Sequence, residues 1–188
     1  MKYYFAAAIS LCGALFPMSS LHAATLTNFT TYNGHTYAVT DVGSSWTEAE
    51  AFAVSQGGHL VTINDAAENS FIFETFVAAD NLDYWIGFNC VGCSNYLDAT
   101  QWGWSSGEAS TFENFRAGQP DWGSGSDRFA VINFAGVGAV WDNYPDASFG
   151  TPKAIIEFDD PQSVSEPFSV LGFLTLLGFS FVIKHKRE

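Results

Sequence analysis

Trp46-Thr47-Glu48-Ala49-Glu50-Ala51-Phe52-Ala53-Val54-Ser55-Gln56-Gly57-Gly58-His59-Leu60-Val61-Thr62-Ile63 changes its hydrophobic period part-way along. Trp46, Ala49, Phe52 and Ala53 fall on one face of a helix, Thr47 and Glu50 have capping-box spacing, and Gly57-Gly58 stops the helix before a strand that starts at His59. Upstream, Tyr32-Asn33-Gly34-His35-Thr36-Tyr37 sets an Asn-Gly turn between aromatic positions, the pattern of a tight hairpin. Downstream, Asp65 and Glu68 open a second helix carrying Phe71, Ile72 and Phe76. Short strands then follow at Tyr84 to Phe88, Gln101 to Trp104, Phe129 to Phe134, Val140 to Trp141 and Lys153 to Phe158. Two helices followed by a run of strands is an α+β arrangement, and no internal repeat interrupts it.

Oxygen-bearing side chains gather late in that run. Gln119-Pro120-Asp121 is followed by Asp127 and then by Trp141-Asp142-Asn143. Two neighbouring loops could therefore bring Gln119, Asp121, Asp127, Asp142 and Asn143 around one hard cation. Calcium takes about six to eight oxygens in an irregular cage, so carboxylates mixed with amide carbonyls suit it better than zinc. Asp121 and Asp127 could also be imagined as a glycosidase pair, but ligation accounts for Gln119 and Asn143 as well. No histidine pairs with a nucleophile, so no enzyme is expected.

Ordered matches across residues ~30 to ~160 resemble the C-type lectin-like domain. They are Trp46-Thr47-Glu48-Ala49, Gly57 to Ile63, Glu68-Asn69, Trp85-Ile86-Gly87, Trp102-Gly103-Trp104 with Gly107-Glu108, Phe112 to Asp121, and Ala154-Ile155-Ile156-Glu157-Phe158. The resemblance implies a lectin-like domain over residues 25–160, with antiparallel sheets and a long loop region for calcium and sugar. It implies a cis bond before Pro120. It also implies metal and sugar contacts from Gln119, Asp121, Asp127, Asp142 and Asn143, the last two in reversed order from the family's Asn-Asp. In that family Gln-Pro-Asp goes with galactose-type sugars, and Trp122 stands near where a ring stacks on the sugar's apolar face. The alternative is a lectin-like structural or adhesion protein of the cell surface or biofilm matrix that binds no sugar. The two disulfides usual in the family align with Ala53 and Ile156, and with Phe129 and Asp146, so both are missing as whole pairs.

The ends carry addresses. Residues 1–23 resemble a secretory signal: Lys2, an apolar run from Tyr3 to Pro17, and small residues at Ala23-Ala24. Residues 161–167 form a linker ending in Ser165-Glu166-Pro167, and residues 168–188 hold an apolar run to Ile183 with Lys184-His185-Lys186-Arg187 behind it. At 1.5 Å per residue that run spans about 24 Å, close to a membrane's hydrocarbon core, and the basic cluster stops it at the cytoplasmic side. The tail resembles the PEP-CTERM signal that an exosortase removes, with Ser165 in place of its first Pro. The expectation is export to the cell envelope or extracellular surface, with transient anchoring in the inner membrane.

Between Ala24 and Pro167 only Arg116, Arg128 and Lys153 are basic, against nineteen Asp and Glu. Such a surface repels nucleic acid and leaves neutral sugars and divalent cations as partners. Cys90 and Cys93 lie in the turn-rich loop Asn89 to Asn95, where a local disulfide is the expected state in an oxidising compartment. Trp46, Trp85, Trp102, Trp104 and Trp141 are expected in the core.

Overall fold

A computed structural model of the chain describes residues 23–146 and 151–159. The expectations for the signal segment up to His22, for the sorting residues Ser165, Glu166 and Pro167, and for the apolar tail lie outside these residues. Among the described residues no helix is long and apolar enough to cross a membrane.

The described residues begin with a hairpin of β1 (Leu26–Tyr32) and β2 (His35–Thr40). It turns at Asn33 and Gly34, both at positive φ, as the Asn-Gly pair demands. Helix α1 (Trp46–Ser55), the short β3 (His59–Leu60) and helix α2 (Ala66–Ile72) follow, with one π-helical turn at Phe73–Val77. The strands β4 (Tyr84–Asn89), β5 (Gly103–Trp104), β6 (Phe129–Ile132), β7 (Trp141–Tyr144) and β8 (Lys153–Phe158) come next, with single 3-10 turns at Ala99–Gln101 and Phe134–Gly136 that take Gln101 and Phe134 out of the strands expected there. The sheet runs β1-β2-β8-β4-β6-β7, with β3 added to β8 and β5 to β4. The last strand thus sits between the first hairpin and the centre, parallel to β4 and antiparallel to β2. This is the α+β arrangement that the sequence implied, with one correction: the β4–β8 pair is parallel, so the sheet is mixed rather than antiparallel throughout, because the chain returns to the centre of the sheet only with its last strand.

The strand period of two sorts the core into two faces. Tyr84, Ile86, Ile132 and Ile155 join one cluster with Val61, Ile72, Phe76 and Trp141. Trp85, Val131, Ala154 and Ile156 join the other with Trp46, Ala49 and Ala53 of α1. All five tryptophans expected inside are buried. Ala53 and Ile156, where the family has one disulfide, are each fully buried in the same cluster, so apolar packing replaces the bond. At the other position Phe129 is buried, and the Asp146 carboxylate accepts from the Thr47 backbone N–H at 2.8 Å and the Thr47 hydroxyl at 2.7 Å.

Local signals moved in two places. The cap of α1 is Ser45, whose hydroxyl accepts from Glu48 N while Glu48 reaches back to Ser45 N. Thr47 and Glu50 are therefore not the box. Trp46 already lies inside the helix because its ring must reach the core, where Nε1 donates to the Ile86 carbonyl. Glu50 instead accepts from Leu60 N at 2.9 Å and ties the helix to β3. Gly57, at φ +86°, ends the helix as expected, and a Cβ on Gly58 would strike the Glu157 carbonyl, so β3 can lie close against β8. The second shift is in β7, which reaches Tyr144 and so places Asp142 and Asn143 in a strand rather than a loop. Asx residues are rare in strands, which hid this from the sequence. The second helix begins at Asp65 as expected, its carboxylate accepting from Ala67 N and Glu68 N. Near the end of β8, burial pushes the fully buried Glu157 carboxyl up to about 7.

Candidate functional site

Trp141 positions the site. Its ring is fully buried, donates to Asn69 Oδ1 at 2.9 Å, and meets Phe88, Trp104, Phe112 and Phe115 edge-on or tilted. Its backbone accepts from Arg116 N at 2.8 Å and donates to the Asn114 carbonyl at 2.9 Å. The segment before Pro120 is thereby fastened beside β7, and Asp142 and Asn143 follow directly.

Asn143 then joins the two halves. Its Oδ1 accepts from Asp121 N at 2.9 Å, while Nδ2 donates to the Asp121 carbonyl at 2.9 Å and the Asp127 carbonyl at 3.2 Å. A buried amide with three backbone partners fixes a loop far better than packing alone. The Gln119-Pro120 bond is cis, as the resemblance implied, and Gln119 Nε2 donates to Asp121 Oδ2 at 3.1 Å. Gly123 N caps Asp121 Oδ1, and Ser124 satisfies both oxygens of Asp127 through its backbone N–H and its hydroxyl. Gly123 has to be glycine: a Cβ there would enter the Asp127 carboxylate.

The result is a cavity of about 540 Å³ whose wall includes Gln119, Asp121, Asp127, Asp142 and Asn143. All five residues expected to ligate reach one place. Gln119 Oε1 is buried there with no hydrogen-bond partner. Trp122 is not in the wall: its ring leans on Tyr96 at 5.9 Å between centroids and stays 68% exposed. Cys90 and Cys93 are joined as a disulfide in the neighbouring loop, with Cα atoms 5.4 Å apart.

One charged wall residue had no assigned role in the sequence. Arg116 pairs through Nη2 with Asp142 Oδ2, and its Nε is buried without a partner. Burial raises the Asp142 carboxyl, the Arg116 guanidinium pulls it down less, and the Asp121 charge adds to the rise. The clue was available: Arg116 is one of only three basic residues between Ala24 and Pro167 and stands just before Gln119-Pro120-Asp121.

The family model of the lectin C-type domain matches residues 42–146, ending just past the Asp142-Asn143 strand. The chain belongs to the C-type lectin domain family. Among curated proteins, this lectin domain is similar to "Galactose-specific lectin nattectin" of Thalassophryne nattereri, at 31% identity over 100 residues, covering 52% of this chain and 58% of that protein. It is also similar to "Lectin BRA-3" of Megabalanus rosa, at 31% over 114 residues, covering 60% and 65%. The chain thus spans less than two thirds of these relatives. Among solved structures, the C-type lectin CEL-I from Cucumaria echinata superimposes with a TM-score of 0.59 at 18% identity, over 70% of this chain and 94% of that one, a likeness of fold. C-type lectins are in general carbohydrate-binding proteins rather than enzymes.

The donor set of this lectin domain fits a hard cation in chemistry. Gln119 offers a carbonyl oxygen without a partner, and Asp121 and Asp127 offer carboxylates held by backbone N–H groups. Asp142 already has a cation in Arg116, and Asn143 is committed to the loops.

Proposed function

We propose that this chain is an exported, calcium-dependent carbohydrate-binding protein with galactose-type specificity. The Gln119 Oε1 atom carries the reading, because it is buried and unpartnered in a cavity shared with three carboxylates, two of which have no cation beside them among the described residues. An unmade hydrogen bond at such an atom costs about 1–3 kcal/mol, and an oxygen-seeking cation would recover it. Gln119, Asp121 and Asp127 would hold calcium, with Asn143 keeping their loop in place and Asp142 shared with Arg116. Bound there, calcium would accept neighbouring sugar hydroxyls in place of water. The Asp121 and Asp127 oxygens can accept from those hydroxyls and the Gln119 amide can donate to them, so the side on which the amide stands selects the stereochemistry. Galactose is favoured by Gln119-Pro120-Asp121 and is the sugar in nattectin's name. Trp122, exposed beside the loop, is free to meet the sugar's apolar face.

The terminal segments support the location. A leader over residues 1–23 and a basic-ended apolar tail over residues 168–188 fit an exported protein held in the inner membrane until an exosortase-like enzyme cuts near Ser165-Glu166-Pro167. A glycan or exopolysaccharide at the cell envelope or extracellular surface is then the partner.

One observation favours a second reading, a lectin-like scaffold that needs neither metal nor sugar. Arg116 supplies Asp142 with a built-in cation. The two readings separate on a galactose column and in thermal melts. With calcium at about 100 times its Kd, the melting free energy should rise by about 2.7 kcal/mol, and chelator should elute the protein. No retention and no shift would establish the scaffold. Arg116→Gln sharpens the comparison. Without calcium it should cost about 1–3 kcal/mol, less than the loss of a fully enclosed pair because Arg116 is 40% exposed. With calcium the deficit should shrink, since Asp142 is then free to share the ion.

A further inference from the structure

A second cation-seeking cluster lies on the first hairpin and the last strand, and none of its residues lines the cavity above. Glu157 of β8 pairs in register with Tyr37 of β2 on one side and His59 of β3 on the other. Cross-strand partners share a face, and so do residues two apart along a strand. His35, two before Tyr37, and Asp159, two after Glu157, therefore come to the same face as Glu157 and His59.

The side chains meet there. His35 Nδ1 is 3.0 Å from Glu157 Oε1 and 3.7 Å from Asp159 Oδ1, and His59 Nε2 is 3.4 Å from the same Asp159 oxygen. Ligand atoms at about 2.0–2.1 Å from a tetrahedral zinc stand about 3.3–3.4 Å apart, so these separations are those of a metal's coordination edge. Two further observations point inward. Glu157 is fully buried; its Oε2 accepts from Thr62 N at 2.9 Å, but Oε1 has no hydrogen-bond partner. His35 Nδ1 is likewise buried without a hydrogen-bond partner. These two atoms face each other without a hydrogen bond, an arrangement that a cation between them would satisfy. His59 has the outer support common to metal-binding imidazoles: its Nδ1 lies 2.9 Å from the Leu60 carbonyl, and donation there leaves the Nε2 lone pair facing Asp159.

We propose that His35, Glu157 and Asp159 form a zinc site, with His59 beside its fourth position. Mixed imidazole and carboxylate donors suit zinc over calcium, which prefers oxygen alone. The metal would clamp β2, β3 and β8 together at the end where the domain's first hairpin meets its last strand.

The test uses tag-free full-length protein and zinc alone. Calorimetry should find one zinc per chain, undiminished by excess calcium. Cobalt substituted for zinc should show the intense visible bands of a four-coordinate ion. His35→Gln and Asp159→Asn should each weaken zinc at least about tenfold. Asp159 is 69% exposed, so its variant keeps the fold, which an unchanged zinc-free melting temperature will verify. Asp121→Ala should leave zinc binding untouched, separating this site from the sugar cavity. Zinc binding that is absent from the native protein, or that survives both the His35 and Asp159 substitutions, would overturn the proposal and leave a histidine–carboxylate ion pair.

Discussion

Trp141→Ala should destabilise the domain by about 3–5 kcal/mol from lost packing alone. The side chain is fully buried and touches four other aromatic rings, so no neighbour can close the gap by a simple rotation. The substitution also strands Asn69 Oδ1, which loses its donor at 2.9 Å, adding about 1 kcal/mol or more. Against a domain stability of about 5–15 kcal/mol this is a large share, and the melting temperature should fall by more than about 10 °C. Denaturant melts will measure it. Trp141→Phe should recover part of the packing but none of the Asn69 bond. A loss under about 2 kcal/mol for the alanine variant would mean that the aromatic cluster relaxes in a way its contacts do not suggest.

Asp121→Ala should have the opposite profile, abolishing calcium-dependent stabilisation and retention on galactose while leaving the apo fold intact. Asp121 is exposed, and its carboxylate partners are the Gly123 N–H and the Gln119 amide, both within reach of water. The apo melting free energy should therefore change by less than about 1 kcal/mol. The backbone of Asp121 stays anchored, because both bonds to Asn143 use main-chain atoms. Calorimetric titration with calcium, beside the native protein, is the decisive measurement. A variant that still takes up calcium with native heat would remove Asp121 from the ligand set.

The sequence made the local decisions legible and left the long-range ones hidden. Asn33-Gly34 and Gly57-Gly58 specify their turns whatever surrounds them, and Asp65 caps α2 through bonds two and three residues away. The strand cores were readable because their apolar residues face both covering layers. The α1 cap was displaced because two candidate boxes overlap in Ser45-Trp46-Thr47-Glu48-Ala49-Glu50, and tertiary burial of Trp46 chose between them. At the site, the residue types and spacing pointed to five side chains that the fold brings to the wall of one cavity. They could not reveal that Arg116 would meet Asp142, 26 residues away, since that depends on the backbone bridge from Asn114 and Arg116 to Trp141. Asn143 likewise reads as a ligand in sequence, whereas in the fold its amide is used up in holding two loops. The cluster at His35, His59 and Glu157 was invisible for the same reason, because only the order of strands brings it together.

The tie between Asp146 and the start of α1 takes on a further meaning in light of where cysteines are absent. A polar clasp and an apolar contact stand where relatives of this shape carry sulfur bridges, so neither long closure depends on an oxidant or an isomerase. Among the described residues, thiol reagents act on the four-residue ring from Cys90 to Cys93, whose loss releases less chain entropy than the opening of a long-range bridge would. Neither of the domain's two long closures therefore responds to the redox state of its surroundings.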